Sequence, residues 1–197
     1  MQLSSTARFY DMMRLFYPLI DIFLAKKRRQ LVEQVNRQSP GHLLEIGVGT
    51  GSHLKWYGSH EITGIDISTG MLRTAAKHAR STVRLVQMDG HDLLFADASF
   101  NYVVLSHVIA VVQNPDRVLE EVYRVLHPGG KCFILNHFTP LNGLAYVDRL
   151  FQPLGRLFHF RTSFRLDDMP SLKRFRLTAI ATSGPFGYYK QLILEKQ

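Results

Sequence analysis

The chain has 197 residues and a net charge of +8, and 46% of its residues are hydrophobic and 20% charged. These values are typical of an ordinary soluble globular protein, and we predict a single domain over residues 1–197. Cys132 is the only cysteine, which excludes an intramolecular disulfide and makes a reducing, cytosolic compartment the simplest expectation.

The N-terminal segment, residues 1–37, is predicted to be helical. Apolar side chains recur at helical spacing from Phe9 to Val35. A break is expected near Tyr17, because the proline that follows lacks the amide hydrogen that a helix interior requires. Neither a signal peptide nor a membrane-spanning helix, which needs about 20 mostly apolar residues, is expected here. The interruptions that argue against them are Asp11, Arg14, Pro18 and Asp21.

Short apolar runs alternate with amphipathic stretches through the middle of the chain. The runs predict buried strands at 42–47, 61–66, 82–88, 100–106 and 131–136. The connections predict helices or helix-sized links at 50–58, 68–80, 90–98 and 114–127. This alternation is typical of βαβ units in a parallel sheet that is covered on both faces. Pro128-Gly129-Gly130 predicts a sharp end to the last of these helices.

A glycine-rich turn, Glu45-Ile46-Gly47-Val48-Gly49-Thr50-Gly51, follows the first predicted strand. Residues without a Cβ allow a tight turn and let a ligand touch the backbone. The spacing departs from the G-x-G-x-x-G pattern of dinucleotide sites, because the third glycine comes one residue early. The acidic Glu45 suits a ligand that carries positive charge. The alternative is a purely structural turn.

Two acidic residues end the next two strands. Asp66 lies 19 residues after Gly47, where a carboxylate can accept both ribose hydroxyls of an adenosine. Asp89 could accept the adenine amino group, with Met88 and Ile67 on either side of the ring. The alternatives are an exposed or helix-capping aspartate at Asp66, and a turn-forming Asp-Gly pair at Asp89.

The C-terminal third is predicted to contain a basic and aromatic helical insertion at 141–173, followed by two strands. The strand-like runs are residues 174–183 and 188–195. The short link between them contains Gly184-Pro185 and Gly187, which predicts an antiparallel hairpin that closes the sheet.

Positive charge is concentrated in two flanks. Residues 8–37 and residues 141–176 each carry seven Lys/Arg and three Asp/Glu, whereas residues 38–140 carry eight and nine. Lys26-Lys27-Arg28-Arg29 gives four adjacent cations. Basic flanks indicate an anionic partner, either nucleic acid or a membrane surface. A merely solvated basic surface is the alternative.

Taken together, these motifs resemble the class I methyltransferase family. They are the E-x-G-x-G-x-G turn, Gly64-Ile65-Asp66, Met88-Asp89-Gly90, the strand at 100–108 and the turn at 125–130. The resemblance covers about residues 42–136. It implies an α/β, Rossmann-like fold with a seven-stranded, mostly parallel sheet in order 3-2-1-4-5-7-6, and S-adenosylmethionine as cofactor. The cofactor-binding residues it implies are Glu45, Gly47, Val48, Gly49, Thr50, Gly51, Asp66, Ile67, Met71, Met88, Asp89, Gly90 and Ser106.

The flanks more loosely resemble bacterial phospholipid N-methyltransferases, which convert phosphatidylethanolamine stepwise to phosphatidylcholine. The similar segments are Phe9-Tyr10-Asp11, Tyr17-Pro18, residues 134–138 and the helix at 143–155. The resemblance implies a phospholipid substrate and peripheral attachment to the inner face of the cytoplasmic membrane.

Other classes of protein fit the sequence less well. Quinone C-methyltransferases and other small-molecule C- or O-methyltransferases share the core and remain the main alternative. Nucleic-acid amino-methyltransferases carry a D/N-P-P-Y motif after strand 4, where this chain has Leu105-Ser106-His107-Val108, so no nucleic-acid partner is expected. The intact glycine turn and both acids disfavour a non-catalytic membrane-binding protein. No metal-ligand cluster and no obligate protein partner are indicated.

The candidate catalytic residues are Tyr10, His107 and His137. An amine substrate resembles lysine and is protonated at neutral pH, so it must lose a proton before it can attack a methyl group. A tyrosine or histidine could accept or relay that proton. Tyr17 is a further candidate, and packed side chains without a catalytic role are the alternative for each.

Overall fold

The structure, a computed structural model, describes residues 17–137, 169–183 and 189–197. In these ranges the helices are α1 (Tyr17–Asn36), α2 (Thr69–Ala75) and α3 (Pro115–Val125). The strands are β1 (His42–Ile46), β2 (Glu61–Asp66), β3 (Arg84–Gln87), β4 (Phe100–Ser106), β5 (Leu126–His137), β6 (Phe175–Ser183) and β7 (Tyr189–Lys196). Two short 3-10 turns lie at Leu54–Trp56 and Pro170–Arg174.

The strands form one seven-stranded sheet in the order β3-β2-β1-β4-β5-β7-β6. The first five strands pair in parallel, and β7 pairs antiparallel with both β5 and β6. The predicted sheet order and the C-terminal hairpin are therefore confirmed. The strand order reverses between β1 and β4, and such a reversal opens a crevice at the carboxyl ends of the strands.

Both faces of the sheet are buried, because neighbouring apolar residues in each strand point in opposite directions. Leu43 of β1 packs with the α1 residues Leu31 and Val35. Leu44 packs on the opposite face with Val118 and other residues of α3. Two helix layers therefore enclose the sheet, as the near-continuous apolar runs of the strands predict.

Two of the predicted connections are links rather than helices, and the end of the last helix differs from the prediction. The stretch 50–58 contains the 3-10 turn Leu54–Trp56, and residues 90–98 form a loop. Helix α3 ends at Val125, and β5 begins at the next residue. Pro128-Gly129-Gly130 therefore lies inside a strand, where the pairing with β4 shifts register, and Gly129 has φ +75°. The glycines form a bulge instead of ending the helix.

The loop at 90–98 is held by side chains of α3, which supply the hydrogen bonds that a helix would have made internally. The Arg124 guanidinium donates to the backbone oxygens of Leu93 and Phe95 at 2.7 and 2.8 Å. The Leu93 amide donates to the buried Glu121 carboxylate at 2.9 Å. Hydrogen bonding to Arg124 is the main cause that lowers the pKa of Glu121. This network fixes the loop that follows β3, which forms part of the crevice.

Several predictions fall outside the described residues. These are the helical stretch before Tyr17, most of the insertion at 141–173 and the link at 184–188. The described part of the N-terminal segment is helix α1, with Pro18 in its first turn as predicted.

Candidate active site

The glycine turn between β1 and α2 has the tight backbone that the sequence predicts. Gly47, Gly49 and Gly51 have φ values of +70°, +55° and +76°. A Cβ at Gly47 would lie 2.4 Å from a Val108 methyl group, and one at Gly51 would lie 2.9 Å from Ala75. A Cβ at Gly49 would meet no protein atom closer than 4.0 Å. Packing therefore requires two of these glycines, whereas Gly49 leaves open the space above the turn.

Asp66 joins this turn to the start of α2. Its Oδ2 accepts a hydrogen bond from the Gly49 amide at 2.8 Å, and its Oδ1 accepts one from the Ser68 amide at 2.9 Å. Ser68 itself caps α2 by accepting from the Met71 amide at 3.0 Å, so Asp66 is not the helix cap. Both carboxylate oxygens of Asp66 therefore bind backbone amides at the wall of the crevice.

Asp89 is hydrogen-bonded to His91, and His91 is hydrogen-bonded to Asn114 at the start of α3. Asp89 Oδ1 accepts from the His91 amide at 2.9 Å and contacts His91 Nδ1 at 2.6 Å. The Asn114 amide donates to His91 Nε2 at 3.2 Å. Because Nε2 accepts there, Nδ1 carries the ring proton and donates to Asp89. The second Asp89 oxygen remains available as an acceptor.

These turns line one cavity of about 200 Å³ at the carboxyl ends of the strands. Most of the predicted cofactor residues lie on its wall: Gly47, Val48, Gly49, Thr50, Asp66, Ile67, Met71, Met88, Asp89, Gly90 and Ser106. The candidate catalytic residue His107 also lies on the wall. The arrangement brings the acidic side chains Asp66 and Asp89 and the end of β4 into a single crevice.

Two predicted cofactor residues are not on the wall. A Cβ at Gly51 would lie 2.9 Å from Ala75 and 3.0 Å from Leu54, so this glycine faces protein atoms. Glu45 is only 1% exposed, and its Oε1 lies 2.6 Å from Nδ1 of His53. Since side chains alternate along a strand, Glu45 shares the face of Leu43 and points toward α1 rather than into the crevice. The prediction that Glu45 meets a cationic ligand directly does not fit this geometry.

His107 begins the loop after β4 in a left-handed conformation, with φ +60°. This backbone shape is uncommon for residues other than glycine and often marks functional sites. The His107 amide donates to the Leu135 carbonyl at 2.7 Å, and its ring packs edge-on against Tyr189 at 6.0 Å between centroids. Burial raises the pKa of Tyr189. Tyr189 is an aromatic neighbour of the site that the sequence did not indicate.

The other two candidate catalytic residues are not placed by the structure. Tyr10 lies outside the described residues, and for His137 only the backbone, paired with Tyr189 across the sheet, is described.

Arg28 is a wall residue that the sequence analysis misassigned. In the sequence it stands among four adjacent basic residues and was interpreted as surface charge. In the structure it is only 6% exposed and lies on the cavity wall. It donates a hydrogen bond to the Ser52 hydroxyl at 3.3 Å. Its neighbour Lys27 lies 4.5 Å from the centre of the Tyr189 ring. A usable signal was present, because Arg28 shares a helix face with the buried Leu31 and Val35. The other wall residues that were missed are Ile46, Ser52, His53, Ile65, His91, Val108, Val111, Val112 and Gln113.

Known proteins resemble this chain in sequence and in fold. Residues 44–134 match a family described as a methyltransferase domain. The chain is 30% identical to a phosphatidylethanolamine N-methyltransferase of Cereibacter sphaeroides, with 100% of both chains covered. It is 32% identical over 172 residues to a ubiquinone/menaquinone biosynthesis C-methyltransferase of Geotalea daltonii, covering 77% of this chain and 73% of that one. An S-adenosylmethionine-dependent methyltransferase structure from Thermotoga maritima has a TM-score of 0.78 at 19% identity, covering 96% and 99%.

The chain therefore belongs to the class I S-adenosylmethionine-dependent methyltransferases and is an enzyme of that class. The fold of the Thermotoga protein supports the architecture, and the full-length sequence match supports the family. The sheet order and the glycine turn agree with both.

The open space above Gly49 allows a direct test. Gly49→Ala should weaken binding of S-adenosylhomocysteine at least tenfold in calorimetry, because the new methyl group would enter the cavity. Gly129→Ala is the matched control, since Gly129 also has a positive φ, +75°, with no atom within 4 Å of where a Cβ would lie, and does not line the cavity. Both variants should lose a similar stability of about 1–2 kcal/mol. Equal ligand affinity in the two variants would show that the ligand does not occupy this space.

Proposed function

We propose that this enzyme methylates the amine headgroup of phosphatidylethanolamine and its partly methylated derivatives, toward phosphatidylcholine. The observation that carries the proposal is the full-length match to a phosphatidylethanolamine N-methyltransferase. That match includes both flanks of the methyltransferase core. The C-methyltransferase match leaves about a quarter of this chain uncovered, since it extends over 77%.

The cavity suits S-adenosylmethionine. Gly49 leaves open the space above the turn, where a Cβ would meet no protein atom closer than 4.0 Å, and the acidic side chains Asp66 and Asp89 lie on the same wall. We propose that Asp66 binds the ribose hydroxyls, and that Asp89 binds the adenine amino group with Met88 and Ile67 beside the ring. Bound there, S-adenosylmethionine would supply an activated methyl group to the amine once the amine has lost its proton, and S-adenosylhomocysteine would be the leaving group.

The end of β4 contributes two polar side chains to the cavity wall. The Ser106 hydroxyl is buried and has no hydrogen-bond partner among the described residues, so it is available to a ligand. His107 follows it on the same wall. We propose that His107, together with Tyr10 or His137, orients the substrate amine or receives its proton. Exclusion of water from the site also favours the neutral amine.

A quinone C-methyltransferase, or another small-molecule C- or O-methyltransferase at the membrane surface, is the second candidate. The 32% identity to the Geotalea enzyme over 172 residues favours it. The two candidates share the cofactor and differ in the acceptor. An amine acceptor needs a group that handles its proton, whereas a quinol ring offers a carbon nucleophile.

We propose that the protein works at the inner face of the cytoplasmic membrane as a peripheral protein. Within the described ranges, no helix has the length and apolar character to cross a bilayer. Lys26 and Arg29 are exposed on α1, and most of the second basic flank lies outside the described residues. Each exposed cation near an anionic surface contributes about 1 kcal/mol of attraction. The buried Arg28 does not contribute to this surface.

A competition assay distinguishes the two acceptors. Methyl-labelled S-adenosylmethionine is given to the enzyme with vesicles that contain phosphatidylethanolamine and a demethylated quinol, and the lipid products are separated by headgroup. We expect the label in mono-, di- and trimethylated phosphatidylethanolamine. Label confined to the quinol would contradict the proposal and support the second candidate.

The proton-handling role predicts a specific kinetic change. His107→Asn keeps a residue type that tolerates positive φ, and it should lower kcat about 100-fold or more while S-adenosylhomocysteine affinity stays within threefold. Tyr10→Phe should act in the same direction. Turnover equal to the wild type in both variants would show that neither side chain handles the proton.

The membrane proposal predicts salt-sensitive sedimentation with vesicles. Binding to anionic vesicles should exceed binding to neutral ones and should fall at least tenfold in the Lys26→Glu/Arg29→Glu variant. Arg73→Glu/Lys77→Glu is the matched control, because it reverses two exposed cations outside the basic flanks and should bind nearly as the wild type does. Equal binding to neutral and anionic vesicles, or equal loss in both variants, would contradict an electrostatic contact through α1.

A further inference from the structure

A buried carboxylate–imidazole pair lies directly behind the glycine turn. Glu45 and His53 are 1% and 5% exposed, and Glu45 Oε1 lies 2.6 Å from His53 Nδ1. The Trp56 ring stacks beside His53 at 6.1 Å between centroids. Burial, and next to it the charge of Glu45, raise the pKa of Tyr57 well above its ordinary value. The imidazole is therefore held by the Glu45 carboxylate and stacked against Trp56.

The pair leaves one ring nitrogen for a ligand. A carboxylate can only accept, so Nδ1 of His53 donates to Glu45, and in the neutral ring Nε2 carries the lone pair. His53 lies on the cavity wall, and Nε2 is buried without a hydrogen-bond partner in the described part of the chain. Buried polar atoms in folded proteins are almost always paired. A ligand that donates a hydrogen bond would complete this site.

The neighbouring wall indicates which part of a ligand would lie here. Asp66 and Asp89 occupy the adenosine side of the cavity in the proposed binding mode. Beyond the Gly49–Gly51 turn the wall continues with Ser52 and His53, and Arg28 donates to the Ser52 hydroxyl at 3.3 Å. A guanidinium and the Glu45–His53 carboxylate–imidazole pair therefore lie at one end of the cavity. That combination is complementary to a zwitterion, which carries both a carboxylate and an ammonium group.

We propose that His53 Nε2 accepts a hydrogen bond from the α-ammonium group of S-adenosylmethionine, and that Glu45 is the positioning residue that holds the imidazole and supplies the negative charge. The proposal rests on the cofactor placement proposed above, and it assigns a role to His53 in cofactor binding. It also accounts for Glu45, which the sequence places at the motif but the structure places behind the wall. The carboxylate acts on the cation through the ring rather than by contact.

The test uses calorimetry with three ligands that differ only at the amino-acid end. S-adenosylhomocysteine carries both the ammonium and the carboxylate, its decarboxylated form keeps only the ammonium, and 5′-deoxy-5′-methylthioadenosine lacks both. His53→Leu should weaken binding of the first two ligands about 10- to 100-fold, the range for losing a hydrogen bond to a charged group. It should leave the affinity for methylthioadenosine within about threefold.

Two further variants separate binding from structural support. His53→Gln, whose amide oxygen can accept a hydrogen bond, should recover part of the lost affinity for the two ammonium ligands. Glu45→Gln should weaken the same two ligands and spare methylthioadenosine. The thermal midpoint of each variant is measured without ligand, so that a loss of folding is recognised separately.

The outcomes distinguish this inference from the function on which it rests. Equal loss for all three ligands in His53→Leu would mean that the imidazole only supports the turn, and would overturn the proposal. Loss for S-adenosylhomocysteine alone would assign His53 to the carboxylate and would also overturn it. Failure of the wild-type protein to bind S-adenosylhomocysteine would instead contradict the proposed cofactor site.

Discussion

The carboxylate of Asp66 is the interaction on which the site depends, because it joins two separate turns. It accepts amide hydrogens from Gly49 and from Ser68 at 2.8 and 2.9 Å. One amide belongs to the glycine turn after β1, and the other belongs to the start of α2 after β2. These two strands are neighbours in the sheet, so a single side chain fixes the shape of the crevice where their carboxyl ends meet.

Each of the first four strands contributes a different part of the site. β1 supplies the glycine turn, β2 supplies Asp66, β3 leads to Asp89, and β4 ends at Ser106 and His107. Because parallel strands present their carboxyl ends on one edge, residues far apart in sequence meet in one cavity. Helix α3 then fixes the loop after β3, since Asn114, at its N-terminus, donates to His91, and Arg124 holds the loop backbone. Stability and function use the same contacts there.

The sequence predicted the sheet order and most of the residues on the cavity wall. The sheet order is what the resemblance to class I methyltransferases implies. The strands and the residues at their ends follow from local patterns, since apolar runs indicate buried strands and a residue at the end of a strand lies at the sheet edge. The connection at 90–98 was predicted as a helix or a helix-sized link, and the sequence did not indicate that it is a loop. Its backbone is hydrogen-bonded by Arg124 and Glu121, which lie about 30 residues away in sequence. Such contacts cannot be predicted from amphipathic spacing.

The remaining misassignments have the same origin. Glu45 belongs to the motif in sequence, but strand alternation turns its side chain toward α1, where it meets His53. Arg28 stands in a run of four basic residues and reads as surface charge, yet the helix directs it into the crevice beside Ser52. In both cases the residue type was informative, and the direction of the side chain depended on tertiary packing. Sequence periodicity shows which residues share a face of a helix or strand, but it does not show what that face packs against.

Calorimetric titration of Asp66→Asn with S-adenosylhomocysteine tests the central claim most directly. The substitution keeps the size and one acceptor oxygen of the side chain but removes its charge. Asp92→Asn, an exposed neighbour of the site, serves as the matched control. We predict an affinity loss of about 1.5–3 kcal/mol for Asp66→Asn and none for the control. A folded Asp66→Asn variant that binds S-adenosylhomocysteine as tightly as the wild type would contradict the placement of the cofactor in this crevice.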